Sequence, residues 1–204
     1  MRKKITYMIL ILCLIIFTII SYKVVTNGTI YIDTIVYNFM SDNIINDKFT
    51  NIVKVITNIT SPLVVIITAF ILIIFIKNKK IKISLAINLI GITIINNLLK
   101  VIIARPRPDI NRLVDETGYS FPSGHSITSM VFYGYLIYLI YKYVDNRKVK
   151  ILLMIFLVLL IPVIGLSRIY LGVHYTSDVV GGFLLGAVYL ILFINISNKY
   201  IIKE

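Results

Sequence analysis

The sequence predicts an all-α protein, a bundle of six membrane-crossing helices forming one domain over residues 1–204, and three observations carry that reading. Hydrophobic residues make up 58% of the chain and the mean hydropathy is +0.92, so much of its surface must meet lipid. Only 15% of residues are charged, although Lys and Arg outnumber Asp and Glu by 21 to 9 and the net charge is +12. That balance excludes a soluble nucleic-acid-binding domain, which needs a far more polar surface, and a disordered chain, which combines charge with low hydrophobicity. Third, the apolar residues gather in runs close to the roughly 20 residues a helix needs to cross about 30 Å of hydrocarbon.

The first run, Ile5–Tyr22, follows Arg2, Lys3 and Lys4. It lacks a small-residue cleavage site, and Leu12 before Cys13 suits lipoprotein processing poorly, so a retained helix is expected. Cys13 is the only cysteine and lies inside that run, which leaves no disulfide framework and no cysteine metal site. Over residues 30–45, Ile32, Val36, Phe39 and Met40 recur at helical spacing among Asp33, Asn38 and Asp42. Such a segment is either an amphipathic helix on the outer leaflet or an ordinary packed helix. The second and third spans are Ile56–Ile76 and Ile83–Ile103, the latter with Asn88, Asn96 and Asn97 as expected interhelical hydrogen-bonders. His125–Tyr141, Lys150–Leu166 and Ser177–Ile196 complete the set. In the last, Gly182 and Gly186 stand four apart, a spacing that lets two helix backbones approach closely. Tyr22, Tyr141, Tyr143 and Tyr200 suit an interfacial belt.

Positive charge orients the spans. Thirteen of the 21 cations fall on one side, at Arg2–Lys4, Lys77–Lys82, Lys142–Lys150, Lys199 and Lys203, with only Asp145 and Glu204 among the acids. Both termini are therefore expected in the cytoplasm. The opposite, outer side holds the other 8 cations and 7 acids.

Charges at membrane depth are costly and functional by default. The outer-side polar residues form three short clusters at span ends: Lys100–Pro108, Ser120–His125, and Ser167-Arg168 with His174 and Asp178. Alternating crossings bring all three to one face. Lys100, Arg107 and Arg168 could neutralise a phosphate dianion, the arginines by a planar fork matching its oxygens. Ser123 and Gly124 precede a helix N-terminus, whose free N–H groups and dipole favour an anion, and Gly124 allows close backbone approach. His174 and Asp178 are four apart on one helix face, so the carboxylate can take one imidazole N–H and leave the other nitrogen free to attack. His125, from another helix, can protonate a leaving oxygen. With no metal-ligand spacing nearby, side-chain cations would do a metal's work, so no metal and no cofactor are expected.

These clusters read K-x6-R-P at Lys100 and Arg107-Pro108, P-S-G-H at Pro122–His125, and S-R-x5-H-x3-D at Ser167-Arg168, His174 and Asp178. In order and spacing they resemble the three-part signature of the type 2 phosphatidic acid phosphatase family. The resemblance implies a metal-independent lipid phosphatase with a phosphohistidine on His174, partnered by Asp178. It further implies His125 as general acid, and Lys100, Arg107, Ser123, Gly124 and Arg168 as phosphate ligands. Arg105-Pro106 also reads R-P; the family spacing selects Arg107, and Arg105 is at most a candidate for a secondary headgroup contact, the less favoured reading. Tyr119, Tyr170 and Tyr175 are candidates to line the headgroup pocket.

The expected partner is a lipid phosphate or pyrophosphate in a bacterial cell membrane, with the site facing outward. Undecaprenyl pyrophosphate is the first substrate by resemblance, and phosphatidylglycerophosphate and phosphatidate are the alternatives. A non-catalytic lipid-phosphate binder or transporter is the alternative of another class. Vanadium-dependent haloperoxidases share the motifs but are soluble, against six spans. Nothing in the sequence fixes the oligomeric state.

Overall fold

The computed structural model describes residues 2–58, 61–109 and 112–202, and these contain helices and loops but no strand. Ile59 and Thr60 of the second expected span, and Lys203 and Glu204 of the charge pattern, lie outside the described residues. In chain order the helices are α1 (Arg2–Asn27), α2 (Tyr31–Asn43), α3 (Asp47–Asn58), α4 (Pro62–Phe75), α5 (Lys79–Ile103), α6 (Gly124–Tyr143), α7 (Arg147–Tyr170) and α8 (Thr176–Ile196). A short π-helical turn, Ser197–Ile202, continues α8.

Local sequence sets the helix ends. Asn78 caps α5 by accepting from Lys80 N–H at 2.9 Å, and Asn146 caps α7 by accepting from Lys148 and Val149 N–H at 3.0 and 3.1 Å. At its other end α5 stops on Ala104, whose φ of +48° is left-handed and costs a Cβ-bearing residue about 1–2 kcal/mol. Arg105 then precedes Pro106, a position that disfavours continuing the helix. This abrupt stop leaves Lys100 on the helix and turns the Arg105–Arg107 segment back over the bundle.

Four helices, α1, α5, α7 and α8 with its π-helical continuation, are long and apolar enough to cross a membrane. The pair α3 and α4, bent by 45°, makes a fifth if it is one crossing. The bend falls inside the span expected at Ile56–Ile76, and Ser61 starts the new helix by accepting from Val64 N–H at 3.4 Å. Helix α6, the expected fourth span, does not pass on composition: it carries Ser126, Thr128, Ser129 and five tyrosines. It packs against α5, α7 and α8 and buries residues on several sides, so it meets protein where an outer helix meets lipid.

Small residues let α6 and α8 approach. A Cβ on Gly182 would lie 2.9 Å from the Ser123 carbonyl oxygen, and one on Gly186 would lie 2.9 Å from Met130 Cβ. The two glycines therefore serve packing, which draws the start of α8 against the start of α6. Toward the other end, Tyr135 shares hydrogen bonds of Ser84, which also meets Ser197 Oγ at 2.6 Å, tying α6, α5 and the π-helical turn together. The interhelical bonds expected of Asn88, Asn96 and Asn97 are not made among the described residues: both polar side-chain atoms of Asn88, and Oδ1 of Asn96, are buried without a partner.

The segment at residues 30–45 is helical, as α2, and it packs on α7 and α8, but its inward face carries a carboxylate beside only part of the apolar pattern. Asp33 and Met40 point inward, while Ile32 and Phe39 are exposed. The cause is the charge buried beneath it.

Candidate active site

The ends of α5 and α7 and the starts of α6 and α8 converge with the loop 104–123. Lys100, Arg107, Glu116, Gly124, His125 and His174 line one cavity of about 400 Å³. Its wall continues along α4 and α5 through Val65, Ile66, Leu89, Thr93, Asn96 and Asn97. The cavity thus joins a cationic mouth to apolar surface one to three helical turns away. Asn96 Nδ2 lies where a Cβ on Gly124 would come within 3.2 Å of it, so glycine keeps the start of α6 close to α5.

His174 sits in the turn between α7 and α8 and is 3% exposed. Its Nδ1 is 3.3 Å from Asp178 Oδ2 and its Nε2 is 3.2 Å from Arg107 Nη1. A guanidinium can only donate, which makes Nε2 the acceptor and puts the ring proton on Nδ1, toward Asp178. Burial above all, and then the charges of Arg107, Arg168 and Lys100, hold the imidazole pKa well below its ordinary 6.5. The ring is therefore neutral, with its Nε2 lone pair directed to Arg107 at the cavity wall.

Three of the expected phosphate and catalytic residues stand behind that wall. Asp178 is fully buried behind His174, and its Oδ2 also accepts from Tyr175 N–H at 2.9 Å. Ser123 is fully buried with its hydroxyl unpartnered, and its N–H donates to the Asp178 carbonyl at 3.0 Å. Arg168 is 2% exposed, donates to Thr57 Oγ1 at 2.8 Å and pairs closely with Glu116. Glu116 also lies 3.8 Å from Arg107, so one carboxylate bridges both arginines. Arg107 is held further by the carbonyls of Thr117, Gly118 and Val173 at 2.9–3.3 Å, and Lys100 Nζ donates to the Tyr119 carbonyl at 2.5 Å. What results is a cationic wall around a neutral histidine, an arrangement suited to a tetrahedral dianion.

Residues 81–202, more than half of the chain, match the PAP2 superfamily. The chain belongs to that superfamily. It is similar to phosphatidylglycerophosphatase B of Bacillus subtilis, 42% identical over 94 residues, which cover 46% of this chain and 46% of that protein. It is 32% identical over 139 residues to undecaprenyl-diphosphatase of Sulfolobus acidocaldarius, covering 65% of this chain and 63% of the other. Among solved structures it resembles the crystal structure of a transmembrane PAP2-type phosphatidylglycerolphosphate phosphatase from Bacillus subtilis. The TM-score is 0.85 at 26% identity, over 94% of this chain and 96% of that one. Through that likeness the helical bundle is a transmembrane PAP2 fold.

Within this PAP2 chain the motif reading left some residues out, and its side candidates do not line the cavity. Arg105, the less-favoured candidate for a secondary headgroup contact, is 3% exposed and does not reach the cavity: its guanidinium is taken by Asp33, Ser177 and Asp178. None of the three tyrosines beside the motifs lines the cavity. Tyr170 bonds Asn46 and Thr50 in the α3 region, Tyr175 stacks under Arg105 at 3.9 Å, and Tyr119 contributes its carbonyl. Asp33, Thr57 and Glu116 belong to no motif. For Asp33 and Glu116 the one sequence signal was the 7 acids standing beside 8 cations on the side expected to face outward; Thr57 had none.

Proposed function

We propose that this chain is an integral membrane phosphatase that hydrolyses a lipid phosphate or pyrophosphate at the outer leaflet through a phosphohistidine on His174. The observation that carries this reading is the single cavity in which Lys100, Arg107, His125 and His174 meet Val65, Ile66 and Leu89, a charged site opening onto a surface for a lipid tail. Nε2 of His174 attacks phosphorus while Asp178 holds the Nδ1 proton. The bond from phosphorus to the lipid oxygen breaks, and His125, which has no hydrogen-bond partner among the described residues, protonates that oxygen. Water then attacks the phosphohistidine, giving its proton to His125 and releasing inorganic phosphate. Lys100 and Arg107 stabilise the charge on the transferring group from the cavity wall, Arg168 adds its charge from behind that wall, and the N–H groups at the start of α6, which Ser123 caps, are further donors. The step is metal-independent.

Phosphatidylglycerophosphate is the first substrate, supported by the name of the Bacillus structure to which nearly the whole chain is similar. Undecaprenyl pyrophosphate, the first expectation from the motifs, is the second reading, favoured by the 139-residue match to an undecaprenyl-diphosphatase. Six crossings are proposed, with α3–α4 as the second and α6 as the fourth, both termini cytoplasmic, in a bacterial cell membrane. In support, α5, α6, α7 and α8 each carry their site residue at one end and a Lys or Arg at or just beyond the other. The test is phosphate release by purified protein from phosphatidylglycerophosphate, undecaprenyl pyrophosphate, phosphatidate and a soluble ester. Turnover of at least one lipid and its loss in His174→Ala is the expected result. Full release by His174→Ala would leave the chain a lipid-phosphate binder or transporter.

A further inference from the structure

Arg105 takes no part in the proposed mechanism, yet its guanidinium is the hub of the most buried charge cluster described. Nη1 donates to Asp178 Oδ1 at 2.5 Å and to Ser177 Oγ at 2.8 Å, and Nη2 donates to Asp33 Oδ2 at 2.8 Å. The Tyr175 ring covers one face of the guanidinium, 3.9 Å away. Asp33 is bound to the same helix start, its Oδ1 accepting from Ser177 N–H at 2.7 Å and its Oδ2 from the Ser177 hydroxyl at 2.9 Å. Asp33 and Asp178 occupy equivalent places, each in the first turn of its helix with an oxygen accepting from the N–H that precedes it, Ile30 at 3.1 Å and Tyr175 at 2.9 Å. Two helix N-termini thus face each other across one arginine.

The division of Asp178's oxygens gives this cluster a role. Oδ1 is claimed by Arg105, so Oδ2 is the oxygen turned to His174 Nδ1. A carboxylate free to rotate would hold the imidazole proton poorly, while a planar guanidinium clamped at its second nitrogen by Asp33 fixes the rotation. We propose that Arg105 and Asp33 are a positioning pair for the His174–Asp178 dyad, and that α2 is thereby a working part of the active site. This rests on the phosphohistidine reading above. Asp33 lies outside the 81–202 match, so the helix before the family segment supplies the counter-charge that orients the family's own nucleophile.

The test uses full-length protein in detergent with phosphatidylglycerophosphate and undecaprenyl pyrophosphate. Asp33→Asn removes the charge at nearly constant shape and touches no cavity cation. We expect kcat to fall about 10- to 100-fold while KM and the inhibition constant of inorganic phosphate stay within about threefold. Arg105→Lys, which keeps the charge and loses the fork, should fall to a similar level, and adding Asp33→Asn to it should cost less than about threefold more, because both act through one carboxylate. Asp42→Asn, exposed on the same helix, should keep wild-type kcat. The proposal is overturned if Asp33→Asn keeps more than a third of wild-type kcat. It is equally overturned if KM and the phosphate constant rise in step with the loss, or if the loss merely follows a fall in monodisperse protein. If wild type itself releases no phosphate from either lipid, it is the phosphohistidine reading that fails.

Discussion

His174 has an acceptor on one ring nitrogen and a donor on the other, and this division sets its chemistry. In the proposed mechanism the tautomer is already the one required, with the proton on Nδ1, and Nε2 has only to exchange its hydrogen bond from Arg107 for phosphorus. His174→Ala should therefore lower kcat by about 10⁴-fold or more and abolish the labelled phosphoenzyme seen on rapid quench. Arg107→Ala, which removes a charged donor from the cavity, should cost about 10²- to 10³-fold in kcat/KM. The buried neutral state also has a stability consequence. Below pH 6.5 the unfolded chain protonates this imidazole while the folded one, its pKa held well below that value, does not. The contribution of His174 is thus fully present above pH 6.5 and is lost as pH falls, by up to about 1.4 kcal/mol per unit. Thermal unfolding in detergent should show it as a Tm slope between pH 5 and 7 that flattens in His174→Asn. The eight proposed site residues could be named from the sequence because they sit in three fixed-spacing motifs. Asp33, Arg105, Thr57 and Glu116 could not be so named, because their side-chain hydrogen-bond partners are 52 to 144 positions away and a lone acid in an amphipathic stretch carries no mark of what it will meet.

At the level of elements, the lipid-facing helices were readable to within a few residues, since hydropathy measures what a helix shows to the membrane. The bend between α3 and α4 was passed over although Ser61-Pro62, a capping residue before a proline, is a helix-start signal. For α2 the packed helix is the alternative realised: Met40 and Val36 turn inward with the Asp33 carboxylate, because a buried arginine outweighs the exposure of Ile32 and Phe39. The contact of α6 with α8 is the most constrained. Gly182→Ala would gain about 1 kcal/mol of helix propensity, but its Cβ would meet a backbone oxygen at 2.9 Å, which cannot swing aside as a side chain can. The clash should win, with a net loss of about 1–3 kcal/mol visible as a lower Tm, and with reduced kcat because the displaced oxygen belongs to Ser123.

For the whole molecule, the net charge of +12 separates into a strongly cationic side and a nearly balanced one, and the proposed orientation follows from it. A reporter fused after Glu204 should read cytoplasm, and one inserted at Asp109 should read the outside. Treatment with a strong chelator should leave phosphate release unchanged within about twofold, since fixed cations take a metal's part.

The buried ion pair between Arg105 and Asp33 crosses the boundary at residue 81 where the family likeness begins. Sequence similarity and mechanical integrity are thus divided differently along this chain. A cut or graft made at that boundary would keep every signature residue and still separate the hub arginine from its second carboxylate. The inheritable unit of this enzyme class is, in this chain, shorter than the unit that can be transplanted.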